Sequence, residues 1–262
     1  MVTSNDDALM LNGRRQAIMS LIRERGFASV EELAEHFEVT AQTIRRDIND
    51  LSGAGLLRRY HGGAGLPSSV ENVAYQTRQV LNFEAKKRIG AAIAQRIPDE
   101  ASLYVTLGTT AEAVAAALRH HRGLRVITNN LNVAMLLADS AENQVIVAGG
   151  VVRHRDRGIT GEATIDFMSQ FKVDYAVMGI SGIDADGTLL DFDYREVRVL
   201  QSLLGNARSV LLGADQSKFG RRALVRVAHL SQISQVYTDA PPPAHLRQLM
   251  AEQGVELVVT EE

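Results

Sequence analysis

The chain has 262 residues, 45% of them hydrophobic and 23% charged, with a formal net charge of −3; this is an ordinary globular composition and excludes a largely disordered chain. It contains no cysteine, which excludes disulfide frameworks, thiol nucleophiles and zinc–thiolate sites. No apolar run approaches the ~20 residues of a membrane helix, and the start MVTSNDDALM lacks the basic and apolar stretches of a signal peptide. A soluble, cytoplasmic protein with no membrane partner is expected, built as one large domain or two unequal ones.

Residues 1–65 read as short helices closed by a small hairpin. Arg15, Ile18, Leu21 and Ile22 recur at helical spacing, and Gly26 ends that helix. Ser29-Val30-Glu31-Glu32 is a capping-box pattern, and Leu33, Ala34 and Phe37 give the second helix its buried stripe. Glu38-Val39 makes a tight turn. Thr40 then caps a third helix from Ala41 to about Leu51, buried through Ile44, Ile48 and Leu51. Gly53 and Gly55 break it, residues 56–60 form a short strand, and residues 61–65 a turn. Three short helices followed by a hairpin describe a winged helix-turn-helix.

Off the apolar stripe of the third helix, Thr43, Arg46 and Asp50 form one row, and Gln42, Arg45 and Asn49 a second. Gln, Asn and Arg pair bidentately with base edges, while Thr and Arg hold phosphates. That is the chemistry of a recognition helix in the major groove of double-stranded DNA. The expected contacts are Thr40, Gln42, Thr43, Arg45, Arg46 and Asn49, with Arg58, Arg59 and His61 on the wing. A solvated polar face is the alternative, and the helix spacing with the following hairpin weighs against it. The overall −3 hides local sign. Over residues 40–65, Arg45, Arg46, Arg58 and Arg59 outnumber Asp47 and Asp50, a net +2.

Residues 66–82 read as a linker, turn-rich through Leu66-Pro67-Ser68-Ser69 and polar thereafter. A helix follows from Phe83 to Ile97, stopped by Pro98. From about residue 100, apolar strands at 103–107, 126–128, 145–148, 175–178, 210–214, 236–238 and 255–259 alternate with helices at 111–118, 131–138, 196–207 and 245–253. The fold class is therefore α/β, with a parallel sheet covered on both faces.

Ligands of such sheets bind at the carboxyl ends of the strands. Gly108-Thr109-Thr110 lies there, at a helix start whose N–H groups and dipole favour a phosphate. Asn129, Asn130, Gly149 and Gly150 end the next strands, and Arg153 and Lys218 offer cations at the same edge. Together these nine residues form the expected effector site; a bland helix cap and surface cations are the alternative. Asp184, Asp186, Asp191, Asp193 and Glu196 read as a solvated acidic loop rather than an acid/base pair. No HExxH, GxSxG, P-loop or complete GxGxxG pattern occurs. His120-His121 reads as a helix C-cap. Neither metal nor cofactor is expected.

Val39-Thr40-Ala41-Gln42-Thr43-Ile44-Arg45-Arg46-Asp47-Ile48, followed by Arg59-Tyr60-His61-Gly62-Gly63-Ala64, resembles the signature of the DeoR family of bacterial repressors. The second half resembles that family's sensor domain, which is similar in fold to sugar-phosphate isomerases and CoA-transferases. Further segments resemble the branch of the family that answers to glycerol 3-phosphate: residues 66–69, 128–134, 158–164, 179–184, 192–194 and 237–243. The resemblance implies a transcriptional repressor of glycerol metabolism genes, not an enzyme, released from its operators by glycerol 3-phosphate. It implies a winged helix-turn-helix domain at 1–65, a linker at 66–82 and an effector-sensing domain at 83–262, assembled as a homo-oligomer, dimer or tetramer. Two positions depart from the family pattern. Thr106 stands where an Asp, suited to a sugar hydroxyl, is usual, and Leu200 where a Lys, suited to a phosphate, is usual. Two other readings stay open: a DeoR-type repressor answering to another sugar phosphate, and a sugar-phosphate isomerase-like enzyme.

Overall fold

The structure, a computed structural model, describes residues 13–53, 56–60, 62–65, 72 and 74–260. It divides into two compact units, residues 1–68 and 69–262. Expected features at His61, at Gly55 and at residues 66–69 lie outside the described residues.

The first unit contains α1 (Gly13–Arg25), β1 (Phe27–Ser29), α2 (Val30–His36), α3 (Ala41–Gly53), β2 (Arg58–Tyr60) and β3 (Gly63–Gly65). Gly26 follows α1 at φ 76°. The Ser29 capping box forms in full: Glu32 N donates to the Ser29 hydroxyl and Ser29 N donates to the Glu32 carboxylate. Thr40 Oγ1 accepts from Thr43 N at 3.2 Å, and Glu38 takes the left-handed turn between α2 and α3 at φ 51°. Ile18, Ile22, Leu33, Ile44, Ile48 and Leu51 bury completely or nearly so, and form one core. The segment at 63–65, expected as a turn, is a strand that pairs antiparallel with both β1 and β2. It needs glycine there, because a Cβ on Gly63 would collide with the Ala28 carbonyl and the Phe27 ring. With glycine on either side of Ala64, it carries no period-2 signal for sequence reading.

The second unit opens with α4 (Tyr75–Val80), inside the segment expected as a linker, and α5 (Phe83–Arg96). Then come β4 (Ser102–Val105), α6 (Thr109–Ala117), β5 (Arg125–Thr128), α7 (Leu131–Leu137), β6 (Gln144–Val147), the ribbon β7 (Val151–Val152) and β8 (Ile159–Thr160), and α8 (Glu162–Ser169). The chain continues through β9 (Val173–Gly179), β10 (Gly182–Ile183), β11 (Thr188–Asp191), α9 (Tyr194–Leu204), β12 (Ala207–Gly213), β13 (Val225–His229), β14 (Gln235–Thr238), α10 (Ala244–Glu252) and β15 (Glu256–Val259). Seven strands make one parallel sheet in the order β15-β14-β12-β9-β4-β5-β6.

Strand side chains alternate between two cores. Leu103, Val105, Val177 and Leu211 meet α5, α6 and α7 through Ile89, Ile93, Val114 and Val133. Tyr104, Met178, Val210 and Leu212 meet α8, α9 and α10 through Met168, Val197, Leu203, Leu246 and Met250. Leu200, 5% exposed, belongs to that second core. Position 200 thus lies on the buried face of α9, and a lysine there would be buried in apolar surroundings.

From β4 the chain runs outward to β5 and β6, then returns to place β9 on the other side of β4. The strand order reverses between β4 and β9, and a crevice opens beyond their carboxyl ends. The elements not anticipated from sequence (α4, α8, β13 and the short ribbons) are brief or bury little. His121 caps the end of α5, not its own helix: its Nε2 lies 3.1 Å from Ala94 O and 3.0 Å from Ile97 O.

Candidate functional site

In the first unit, α3 presents a basic groove. It is lined by Gln42, Thr43, Arg45, Arg46 and Asn49 of α3, by Arg59 of β2, and by Arg14, Arg15 and Asp47. Arg14 and Arg15, on α1, lie outside the expected set. They fix the helix beneath the groove: Arg14 Nε donates to Asp47 Oδ2 at 2.6 Å and Arg15 Nε to Asp47 Oδ1 at 2.9 Å, while Arg15 also pairs with Asp50. Asp47 is 2% exposed. Burial opposes its charge, but the two arginines hold its carboxyl below the usual range. The wing is braced to the same helix, with Arg59 Nη1 donating to Asn49 Oδ1 at 2.8 Å. Thr40 is bonded to Thr43 through their hydroxyls at 2.9 Å, and Arg45 stands 4.0 Å from Glu31. Arg58 lies on β2 beside Arg59.

In the second unit, the crevice between β4 and β9 is a cleft of about 440 Å³. Four of the nine expected effector residues line it: Gly108, Thr109, Thr110 and Lys218. Gly108 precedes α6 at φ 115°, and no side chain caps the helix there. The first-turn N–H groups of α6 are thus presented at the cleft, as anion sites require. Gly213 lets α6 sit close to the sheet, since a Cβ there would approach Thr110 Cγ2 to 2.8 Å. Burial draws the Lys218 ammonium down to about 8, against the pull of Asp215 at 3.8 Å. Asp215 is fully buried; Asn82 Nδ2 donates to its Oδ1 at 2.7 Å and Ser217 N at 3.1 Å.

The other five expected residues are placed differently. Arg153 does not line the cleft. It donates to Asp156 at 2.6 Å, Asp193 at 2.8 Å and Glu196 at 2.9 Å, and its side chain is only 10% exposed. Burial works against its charge, yet the Glu196 and Asp156 carboxylates raise its pKa above the usual arginine value. It is a structural counter-ion, with little left for a ligand. Asn129 is buried and donates to Ile159 O at 2.9 Å. Asn130 caps α7, accepting from Asn132 N at 3.0 Å and Val133 N at 3.4 Å. Gly149 O accepts from Thr164 Oγ1, and Gly150 packs against Thr164 and Ile159. Thr106 is buried, and its hydroxyl has no hydrogen-bond partner among the described residues.

Several cleft residues went unread in the sequence. Tyr75, Gln76 and Arg78 come from α4 and Asn72 from just before it; Ser181 follows β9. The acidic run is not a solvated loop throughout. Asp184 and Asp186 are exposed in the turn before β11, but Asp191, Asp193 and Glu196 line the cleft. Ser181 Oγ donates to Asp191 Oδ1 at 3.0 Å, and Asp193 caps α9. Burial and the neighbouring Asp191 push Glu196 up to about 7, against Arg153. No strand-end signal marked them, because Asp191 ends β11 of a separate antiparallel sheet rather than a strand of the parallel one. The cleft thus offers helix amides, Lys218 and Arg78 for an anion, and Ser181 with three carboxylates for hydroxyls. Among the described residues, no cluster of His, Asp or Glu is arranged to hold a metal ion, and no helix is long and apolar enough to cross a membrane.

Residues 14–70 match the DeoR-like helix-turn-helix domain, and residues 81–240 the DeoR C-terminal sensor domain. The glycerol-3-phosphate regulon repressor of Escherichia coli (strain K12) is 48% identical over 244 residues, covering 93% of this chain and 97% of that protein. The HTH-type transcriptional repressor CsqR of the same organism is 40% identical, covering 96% of each chain. Among solved structures, ribose 5-phosphate isomerase A from Methanocaldococcus jannaschii overlaps 53% of this chain and 55% of its own, at a TM-score of 0.39 and 15% identity. The helix-turn-helix and sensor matches, with relatives this similar along nearly their whole length, show that the chain belongs to the DeoR family.

Proposed function

We propose that this protein is a cytoplasmic transcriptional repressor of glycerol metabolism genes, released from its operators by glycerol 3-phosphate bound in the cleft. The observation that carries the effector is the cleft's double character. Uncapped α6 amides with Lys218 and Arg78 suit a phosphate, and Ser181, Asp191 and Glu196 suit the hydroxyls of a small polyol. The operator is read by Gln42, Thr43, Arg45, Arg46 and Asn49 in the major groove, with Thr40, Arg58, Arg59 and His61 supporting on the backbone. Residues 1–65 serve DNA binding, 66–82 join the units and 83–262 sense the effector, with α4 contributing to the cleft from the joining segment. Two copies of the chain, as a homodimer or within a tetramer, would read half-sites about 34 Å apart.

One observation favours a second reading, in which another sugar phosphate is the effector. Thr106 replaces the carboxylate that the family pattern places near the sugar, and its hydroxyl has no partner among the described residues. A mobility-shift assay on operator DNA separates the two. Glycerol 3-phosphate should release the DNA, whereas glycerol and inorganic phosphate should not. Release at lower concentration by a pentose or hexose phosphate would favour the second reading. Turnover of glycerol 3-phosphate or a pentose phosphate by the purified protein would favour an enzyme instead.

A further inference from the structure

We propose that Glu112 and Asn132, which line neither the α3 groove nor the cleft, are positioning residues: they hold α4 through the Tyr75 hydroxyl and so couple the cleft to the DNA-binding unit. The inference rests on the reading that the cleft takes a phosphorylated effector. None of the residues of α4 is fully buried and its one aliphatic side chain, Val80, is exposed, so an apolar stripe does not fix it. Polar groups do. The Tyr75 hydroxyl donates to Glu112 Oε2 at 2.7 Å and accepts from Asn132 Nδ2 at 2.9 Å and Gln79 Nε2 at 3.0 Å. Burial and the Glu112 carboxylate push the phenol above its usual range, so it stays a donor.

The same two residues reach both walls of the cleft. Glu112 sits in the first turn of α6, the turn that begins at Gly108, and its Oε1 accepts from Asn130 at 3.2 Å and Asn132 at 3.0 Å. Asn132 also donates to Asp156 O at 3.2 Å. Asp156 in turn grips Arg153, the partner of Asp193 and Glu196. Both ends of α4 are tied by polar groups too. At its C-terminal end the buried Lys86 ammonium donates to Arg78 O and Leu81 O. Before its N-terminal end Arg221 Nη2 donates to Asn72 Oδ1 at 2.7 Å.

An anion at the α6 amides places negative charge in the helix turn that already carries the Glu112 carboxylate. Like charges repel, and the same anion attracts Arg78 on α4. Both effects act on the bonds that locate α4. In sequence, α4 lies close to the boundary between the two units at Ser68/Ser69. A helix held by an apolar face would not answer a charge in this way, whereas one held by a few hydrogen bonds has alternative arrangements of similar energy.

The test uses the full-length chain with Glu112→Ala and Asn132→Ala. The affinity for glycerol 3-phosphate is measured with and without operator duplex, and the ratio of the two is the coupling. Both variants should keep effector affinity without DNA, and operator affinity without effector, within about threefold of the parent, while the ratio falls by about fivefold or more. Glu112→Gln, which keeps an oxygen for Asn130 and Asn132, should recover part of it. An unchanged ratio in both alanine variants overturns the proposal. So does a ratio lost only in step with effector binding, because a merely structural role would give that. Lys218→Ala serves as the separate check on the effector reading. If it retains full glycerol 3-phosphate binding, that reading fails, and the coupling is judged without ligand, by hydrogen exchange over residues 74–81 on adding operator duplex. Altered exchange in the parent that is lost in Glu112→Ala supports the proposal; unaltered exchange in the parent overturns it.

Discussion

On α3 the outward-facing residues lie between Thr40 and Asn49, and one helical period sorts them from Ile44, Ile48 and Leu51. The cleft draws on positions from Asn72 to Lys218, brought together by strand order and by the hydrogen bonds that hold α4. The two regions also treat their charges differently. Arg45 and Arg46 on α3 are exposed at the groove, Arg45 standing 4.0 Å from Glu31, whereas Arg153 beside the cleft is consumed by Asp156, Asp193 and Glu196. A cation near a site is therefore a ligand for something else only when its own carboxylates leave it a valence. On a surface helix that condition follows from exposure; behind a cleft it must be checked partner by partner.

Four substitutions or titrations sharpen the contrast, in decreasing size of effect. Gly108→Asp puts a carboxylate at the uncapped α6 start and an L-residue at φ 115°, a strain of about 1–3 kcal/mol. It should cut glycerol 3-phosphate affinity by about a hundredfold or more while operator binding persists, giving repression that the effector cannot lift. Normal release in a mobility-shift assay would remove the α6 amides from the site. Asp47→Ala strips Arg14 and Arg15 of their shared, buried partner, and should lower the stability of the first unit by about 2–3 kcal/mol. Urea unfolding followed by a probe in that unit measures it, and a midpoint like the parent's would mean the pair does not hold α3.

Arg45→Ala or Arg46→Ala should cost about 1–3 kcal/mol of operator binding each, with effector affinity intact by calorimetry. Parent-like DNA affinity in both would shift recognition off α3. The smallest effect is a pH dependence. Lys218 titrates near 8 in the folded chain, below its usual value, so its charged form is present below pH 8 and lost as pH rises through it. Affinity for glycerol 3-phosphate should fall by about tenfold at most between pH 7 and 9. Lys218→Arg should flatten the fall, since an arginine stays charged there. A flat profile in the parent would show that Lys218 does not meet the anion.

Much of the fold was legible because its signals are local. The capping box at Ser29, the stop at Gly26 and the apolar strands before Gly108 and Gly179 all sit where their residues demand. β3 was not legible, because Gly63-Ala64-Gly65 is a strand for reasons held by Ala28 and Phe27 rather than by itself. Nor was α4, which has no fully buried residue and so carries no apolar period. In the cleft, Gly108-Thr109-Thr110 and Lys218 were readable as strand-end chemistry. Asp191 and Glu196 looked solvated because a run of acids normally is; only the burial of Asp191 and the proximity of Arg153 reveal otherwise. Asn130 and Gly150 stood at the right edge of the sheet but serve α7 and α8. Strand ends locate a site to within one edge, and the partners of each polar group decide which residues at that edge face the ligand.

The central claim, that a phosphorylated metabolite in this cleft competes with operator DNA, is tested most directly by calorimetric titration of the intact protein with glycerol 3-phosphate, alone and bound to operator duplex. Binding should be seen in both titrations and be weaker on DNA, by the same factor by which glycerol 3-phosphate weakens operator binding. Equal affinity with and without DNA, or no binding at all, would contradict it.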